Sequence, residues 1–119
     1  MSGQRHTPDV GDILFTNFTP HAGSEMAGPH PCLVLTASRF SVSTGYMMVC
    51  PITSKIRGSP FEVVLPHQLK TKGCVLASEV RTFDYLTRGV RFIEKAPANF
   101  LQDVLDVTCA ILGCRRPPD

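Results

Sequence analysis

Residues 12–37, DILFTNFTPHAGSEMAGPHPCLVLTA, contain the signals that set the fold class of this chain. The opening segment, 12–18, is rich in β-branched and aromatic side chains, the composition of a strand. The closing segment, 32–37, is almost entirely apolar, as expected of a strand covered on both faces. Between them, residues 19–31 carry three prolines and two glycines, which no regular element tolerates at that density. An irregular connection of this length inside a small domain is more often functional than idle, so the 19–31 loop is a candidate site.

Reading outward, the same alternation of short apolar runs and breakers continues. Residues 46–50 form a third predicted strand, ended by Pro51, and 61–65 a fourth, between Pro60 and Pro66. Residues 73–77 and 79–85 read as one bent strand or a broken pair, and 91–95 as a strand returning antiparallel after a turn at Arg88–Gly89. From Pro97 the period changes: Leu101, Val104, Leu105, Thr108, Ile111 and Leu112 recur at helical spacing, and Gly113 stands just past the last of them. The tail, 115–119, is expected to fray, with Arg115 and Arg116 placed favourably near a helix C-terminus. The reading is a mainly β fold with a C-terminal α-helix packed on the sheet.

At 119 residues with 43% hydrophobic content, the chain suits one domain, residues 1–119 with a core from about 8 to 113. No apolar run approaches the roughly 18 residues of a membrane span, and 13–15 is too short for a secretory core segment. The expectation is a soluble cytoplasmic protein with no membrane partner. The net charge of +2 is small but unevenly spread: residues 55–95 carry eight basic and four acidic side chains, residues 1–54 two basic and three acidic. A polyanion would therefore meet the second stretch. Five cysteines are an odd number, and four of them lie in apolar runs, which suits reduced core thiols. Without close ligand pairs, neither a metal nor another cofactor is expected.

The nucleophile elbow, the phosphate-binding glycine loop, the dinucleotide fingerprint and the zinc-protease helix motif are all missing from the sequence. What remains are polar residues at strand edges: Ser24, Glu25 and His30 in the long loop; Thr53, Ser54, Lys55 and Arg57 after the third strand; then Glu79, Arg81 and Arg88. From spacing alone these are either a composite site or ordinary solvated loop residues.

Five pieces occur in order: Val10-Gly11-Asp12-Ile13; Gly23-Ser24-Glu25-x-Ala27-Gly28-x-x-Pro31 before an apolar strand; Pro51-x-Thr53; Phe61-Glu62-Val63; and Arg81-Thr82-x-Asp84. Together they resemble the MazF/PemK/Kid toxins of bacterial toxin–antitoxin systems, from about Pro8 to Gly113. The resemblance implies an SH3-like β-barrel, a homodimer, metal-independent cleavage of single-stranded RNA, and neutralisation by a cognate antitoxin protein. The cleavage it implies uses the RNA's own 2'-hydroxyl and leaves a cyclic phosphate and a 5'-hydroxyl, chemistry that needs proton transfer and donors for the phosphorane.

Position by position, the resemblance makes Thr53, Glu25 and His30 candidate catalytic residues, and Ser24, Lys55, Arg57, Ser78, Arg81 and Arg88 candidate RNA-binding residues. Thr53 would donate to a phosphate oxygen; as a strand-end threonine it would equally cap a turn. His30 departs from the pattern, because relatives usually carry arginine before the strand proline. Arginine clasps phosphate bidentately but keeps its proton, whereas histidine exchanges protons near neutrality. Ser78 stands where relatives usually have aspartate, which bears on base selection. A CcdB-like barrel that binds gyrase, or a homologue that only binds antitoxin, is the competing expectation.

Overall fold

The computed structural model describes residues 6–19 and 27–114. Its elements run β1 (Asp12–Asn17), β2 (Pro29–Val34), α1 (Ser38–Thr44), β3 (Tyr46–Thr53), β4 (Glu62–Val64), β5 (Cys74–Leu76), β6 (Arg81–Asp84), α2 (Tyr85–Arg88), β7 (Arg91–Lys95) and α3 (Ala98–Leu112). All pairings are antiparallel, in the order β4-β5-β3-β2-β1-β7, with β6 also on β3. The fold is mainly β with a C-terminal helix, as the sequence indicates. Among the described residues no pairing joins β4 to β7, so the barrel is open. None of the described helices is long and apolar enough to cross a membrane.

β3 organises the sheet. One edge pairs with β2 through Val49, Cys50 and Pro51, while the other pairs first with β6 (Tyr46 to Val49) and then with β5 (Ile52 and Thr53). Pro51 was expected to end this strand and does not. It falls where the second edge changes partner, so its missing N–H interrupts no ladder. β2 likewise begins earlier than expected, at Pro29, and ends at Val34, which shortens the irregular connection. Residues 73–77 and 79–85 are the broken pair: β5 and β6 are separate strands, and residues 85–88 turn into the short helix α2. The strand at 91–95 is present, antiparallel to β1.

Side chains alternate across the sheet and build two cores. Ile13, Leu33, Cys50, Ile52 and Val75 lie on one face beneath Phe100 and Val104 of α3. Leu14, Cys32, Val34, Met47 and Val49 lie on the other with Phe18, Phe83 and Tyr85. α3 is held further by Thr108, whose buried hydroxyl donates to the Ala77 carbonyl at 3.0 Å. Its apolar stripe outruns the core: Ile111 is 44% and Leu112 70% exposed. α1 carried no sequence signal, because SRFSVST lacks an apolar helical repeat and buries only Ser41. It is fixed instead by the Asp9 carboxylate, which accepts from the Ser38 N–H at 2.9 Å. That bond, with the Val10 N–H and Lys95 nearby, keeps the Asp9 carboxyl below its ordinary range.

Of the five cysteines, Cys32, Cys50 and Cys74 are buried, Cys109 is half-buried and Cys114 exposed. Burial pushes the Cys50 thiol up to about 12 and raises Cys32 as well, so neither is a nucleophile near neutrality.

Gly73 ties the fold to the site. At φ +115° it packs so closely on β3 that an added Cβ would lie 2.0 Å from the Thr53 carbonyl oxygen. Gly58 has a similarly left-handed φ, +81°, with nothing within 4 Å of its Cβ position. Gly58→Ala is therefore expected to cost about 1 kcal/mol, the conformational term alone. Gly73→Ala is expected to cost about 3 kcal/mol or more, since the β3–β5 backbones must also separate. Urea denaturation of the two variants checks this, and equal midpoints would contradict it.

Candidate active site

The candidate residues gather where the second core runs out. Along β2, Val34 and Cys32 are fully buried, His30 is half-buried and Pro29 is exposed; along β3, Val49 and Pro51 are buried and Thr53 is half-buried. Period-two alternation puts His30 on the face of Cys32, and Thr53 on the face of Val49. The β2–β3 pairing ends at Cys32 opposite Pro51, and His30 and Thr53 each lie two residues beyond it on their own strands. Arg81 pairs with Val49 across β3 and shares that face. Three of the expected residues, from three strands, thus share one sheet face, with Arg81 set opposite Val49 and Thr53 further along β3.

Two phenylalanines, to which the sequence reading gave no role, frame this end. Phe18 is fully buried and meets Phe83 edge-on, with ring centroids 5.0 Å apart. The His30 ring meets Phe18 edge-on at 6.2 Å, and the Arg81 guanidinium lies 5.7 Å from the Phe18 centroid. The Arg88 guanidinium stacks 4.0 Å from the Phe83 centroid. Such cation–π contacts are worth roughly 0.5–1 kcal/mol each at partly exposed sites, enough to fix the direction of two arginine side chains.

Arg88 also donates from Nη1 to the Asn17 and Thr19 carbonyls, both at 2.7 Å. These two residues open the long loop. Its base is closed by the Phe18 N–H to the Gly28 carbonyl at 2.8 Å and by the Gly28 N–H to the Thr19 hydroxyl at 2.9 Å. Ser24 and Glu25, on that loop, lie outside the described residues. Asp84 sets Arg88 in place: as N-cap of α2 it accepts from the Leu86 and Thr87 N–H groups, both at 3.1 Å, and from the Thr87 hydroxyl at 2.9 Å. The Thr87 and Leu86 bonds, with the Arg88 charge, lower the Asp84 carboxyl below 3.8. Its contribution is complete above 3.8 and is lost as pH falls through the lower folded value. The Arg81-Thr82-x-Asp84 pattern is therefore a strand end and a helix cap. A cavity of about 440 Å³ opens beside the clamp, lined by Asn17, Thr19, Phe83 and Arg88 among others.

After Thr53 the chain enters the loop that bears Lys55 and Arg57, both exposed. The Thr53 hydroxyl accepts from the Lys55 N–H at 3.2 Å, the turn-capping role, and keeps its own hydrogen for donation. Glu62, also given no role in the sequence reading, holds this loop: its carboxylate accepts from the N–H groups of Arg57 (3.0 Å), Gly58 (2.9 Å) and Ser59 (3.3 Å). Glu62 was visible only as the middle of Phe61-Glu62-Val63. Ser78 is exposed between β5 and β6.

The profile of the PemK-like, MazF-like toxins of type II toxin–antitoxin systems matches residues 9–112. The endoribonuclease toxin MazF of Escherichia coli K12 is 39% identical over 85 residues, covering 71% of this chain and 76% of that protein. The E. coli endoribonuclease PemK is 32% identical over 106 residues, covering 86% and 80% respectively. The crystal structure of MazF from Deinococcus radiodurans superposes with a TM-score of 0.87 at 41% identity, covering 91% of this chain and 98% of that one. A MazE–MazF structure from the same organism gives 0.84 at 39% identity, covering 92% and 100%. The fold and the sequence are thus both matched by toxins of one family. The chain belongs to the PemK-like, MazF-like toxin family of type II toxin–antitoxin systems.

Arg88→Ala should leave the cores intact and loosen the loop base. Amide exchange at Phe18 and Gly28 is expected to accelerate by about tenfold or more, the loss of two charge-assisted bonds partly offset by water. Hydrogen-exchange NMR measures it, with Val34 and Val49 as unaffected references.

Proposed function

We infer that this chain is the toxin of a type II toxin–antitoxin pair, an endoribonuclease that cleaves single-stranded messenger RNA and so arrests translation and growth. The observation that carries this is that His30 and Arg81 both lie against Phe18, on the sheet face that Thr53 shares. A ring, a hydroxyl and a guanidinium on three strands meet the needs of phosphodiester transesterification. The RNA 2'-oxygen attacks its neighbouring phosphorus, the bond to the 5'-oxygen breaks, and a 2',3'-cyclic phosphate and a 5'-hydroxyl result. His30 takes the 2'-hydroxyl proton or returns one to the departing 5'-oxygen. Thr53 donates to a non-bridging oxygen, where charge builds in the phosphorane. Arg81 offsets that charge, and Lys55 and Arg57 hold flanking phosphates, positioning the strand without reading it. Arg88 acts chiefly on the base of the long loop; in this reading Ser24 and Ser78 contact the RNA and Glu25 assists the catalytic group.

The protein acts in the cytoplasm as a homodimer, without a cofactor, and an antitoxin protein of the MazE kind covers the same basic end. A gyrase-binding role is not favoured, since a protein–protein inhibitor has no use for a hydroxyl, an imidazole and cations around one point. The experiment is incubation of the pure protein with a long single-stranded RNA in the presence of a chelator, with mapping of the product ends. Cyclic phosphates and 5'-hydroxyls at recurring sites are expected; intact RNA, or 5'-phosphate ends, would overturn the reading.

Thr53→Val, which keeps the shape and loses the hydroxyl, is expected to slow single-turnover cleavage by roughly ten- to a thousandfold with little change in stability. An unchanged rate would leave Thr53 only its turn-capping bond to Lys55.

His30→Ala should lose most of the rate, together with the part of the pH–rate profile that follows imidazole ionisation. His30→Arg should cleave with that part flattened, because guanidinium does not titrate in the measurable range. If His30→Ala matches the parent at every pH, the histidine takes no part in proton transfer.

A further inference from the structure

We propose that Cys109 and Cys114 form a built dithiol that reacts with low-molecular-weight disulfides and closes reversibly to an intrachain disulfide. The pair is placed by the way α3 ends. Gly113, at φ 75°, takes the left-handed position just past the helix. Its N–H donates to the Ala110 carbonyl at 3.2 Å, and the N–H of Cys114 donates to the Cys109 carbonyl at 2.8 Å. That double closure is the Schellman termination, in which the residue after the glycine folds back over the residue third from the helix end and their side chains touch. Here both positions are cysteine, so the contact usually made by two hydrophobes brings two thiols together. The neighbouring Cys114 side chain raises Cys109 above the ordinary thiol range.

Accessibility sets this pair apart from Cys32, Cys50 and Cys74, which are buried in the sheet. Cys114 is exposed and Cys109 half-buried, so an incoming disulfide reaches Cys114 first. The steps balance. The Cys114 thiolate attacks one sulfur of a small disulfide RSSR and releases RS⁻, which takes up a proton; the result is a mixed disulfide at Cys114. Cys109, deprotonated to solvent, then attacks the Cys114 sulfur, releases the second RS⁻ and closes the Cys109–Cys114 bond. The protein dithiol is oxidised, one small disulfide is reduced to two thiols, and excess thiol reverses both steps. Adjacent α3 residues Asp106, Val107, Ala110 and Ile111, with Pro60 and Phe61, line a groove of about 420 Å³, so the closed bond fixes the helix end that bounds it.

The test treats the full-length folded protein with oxidised glutathione and follows intact mass and peptide maps. The parent should lose two hydrogens, with one peptide linking Cys109 to Cys114, and recover on addition of reduced glutathione. Cys109→Ser, which removes the resolving thiol, should instead hold a glutathione adduct on Cys114 at least about tenfold longer than the parent does. Hydrogen exchange at the Cys114 amide should slow in the oxidised parent and not in Cys109→Ser. A persistent adduct on the parent, a crosslink between chains in place of the internal bond, or reaction only after unfolding in urea would each overturn the proposal.

Discussion

Proline 51 cannot give a backbone hydrogen bond, and the middle of a sheet admits such a residue only where one edge has nothing to bond. β3 meets that constraint by changing partner on one side, from β6 to β5, across Pro51. The rest of the architecture depends on this change. It lets a single strand carry Val49 beside Arg81, and two residues after the proline place Thr53 beside Cys74 at the approach of Gly73. The proline thus marks the point at which one edge of β3 passes from β6 to β5, with no ladder bond lost.

At that end the second core does two jobs. Phe18 is fully buried and by area alone contributes roughly 2–3 kcal/mol to folding. Its ring is also the surface against which His30 and Arg81 lie, while Phe83 does the same for Arg88. Aromatic faces attract cations and aromatic edges approach rings, so one hydrophobic pair orients three polar side chains without drawing them into the core. The arginines differ in consequence. Arg88 spends two donors on the Asn17 and Thr19 carbonyls and is a structural clamp on the loop before it is anything else.

The sequence was most legible where period and punctuation agree. β1, β7 and the start of α3 stand within a residue or so of their expected places because each has a clean apolar pattern bounded by Gly or Pro. Pro51 misled because a proline's effect depends on which strand edge it faces, a fact of pairing rather than composition. α1 was invisible because its stability lies in the Asp9 carboxylate and in packing against Tyr85, whose hydroxyl reaches the Ser41 carbonyl at 3.3 Å. In the site, Thr53, His30 and Arg81 could be named from the family resemblance, yet their shared face follows from strand register. Phe18 and Glu62 carried no assigned role; the structure shows a ring under two polar groups and a carboxylate gathering three N–H groups.

The histidine at position 30 is easier to understand against this background. An arginine there would be a third guanidinium facing the Phe18–Phe83 pair, close to Arg81 and Arg88, with like charges raising the cost of keeping all three at one partly buried end. Imidazole meets the Phe18 ring edge-on without adding a further permanent charge. In the proposed site the neighbouring arginines supply fixed charge for the RNA, which leaves the ring at position 30 free for proton transfer.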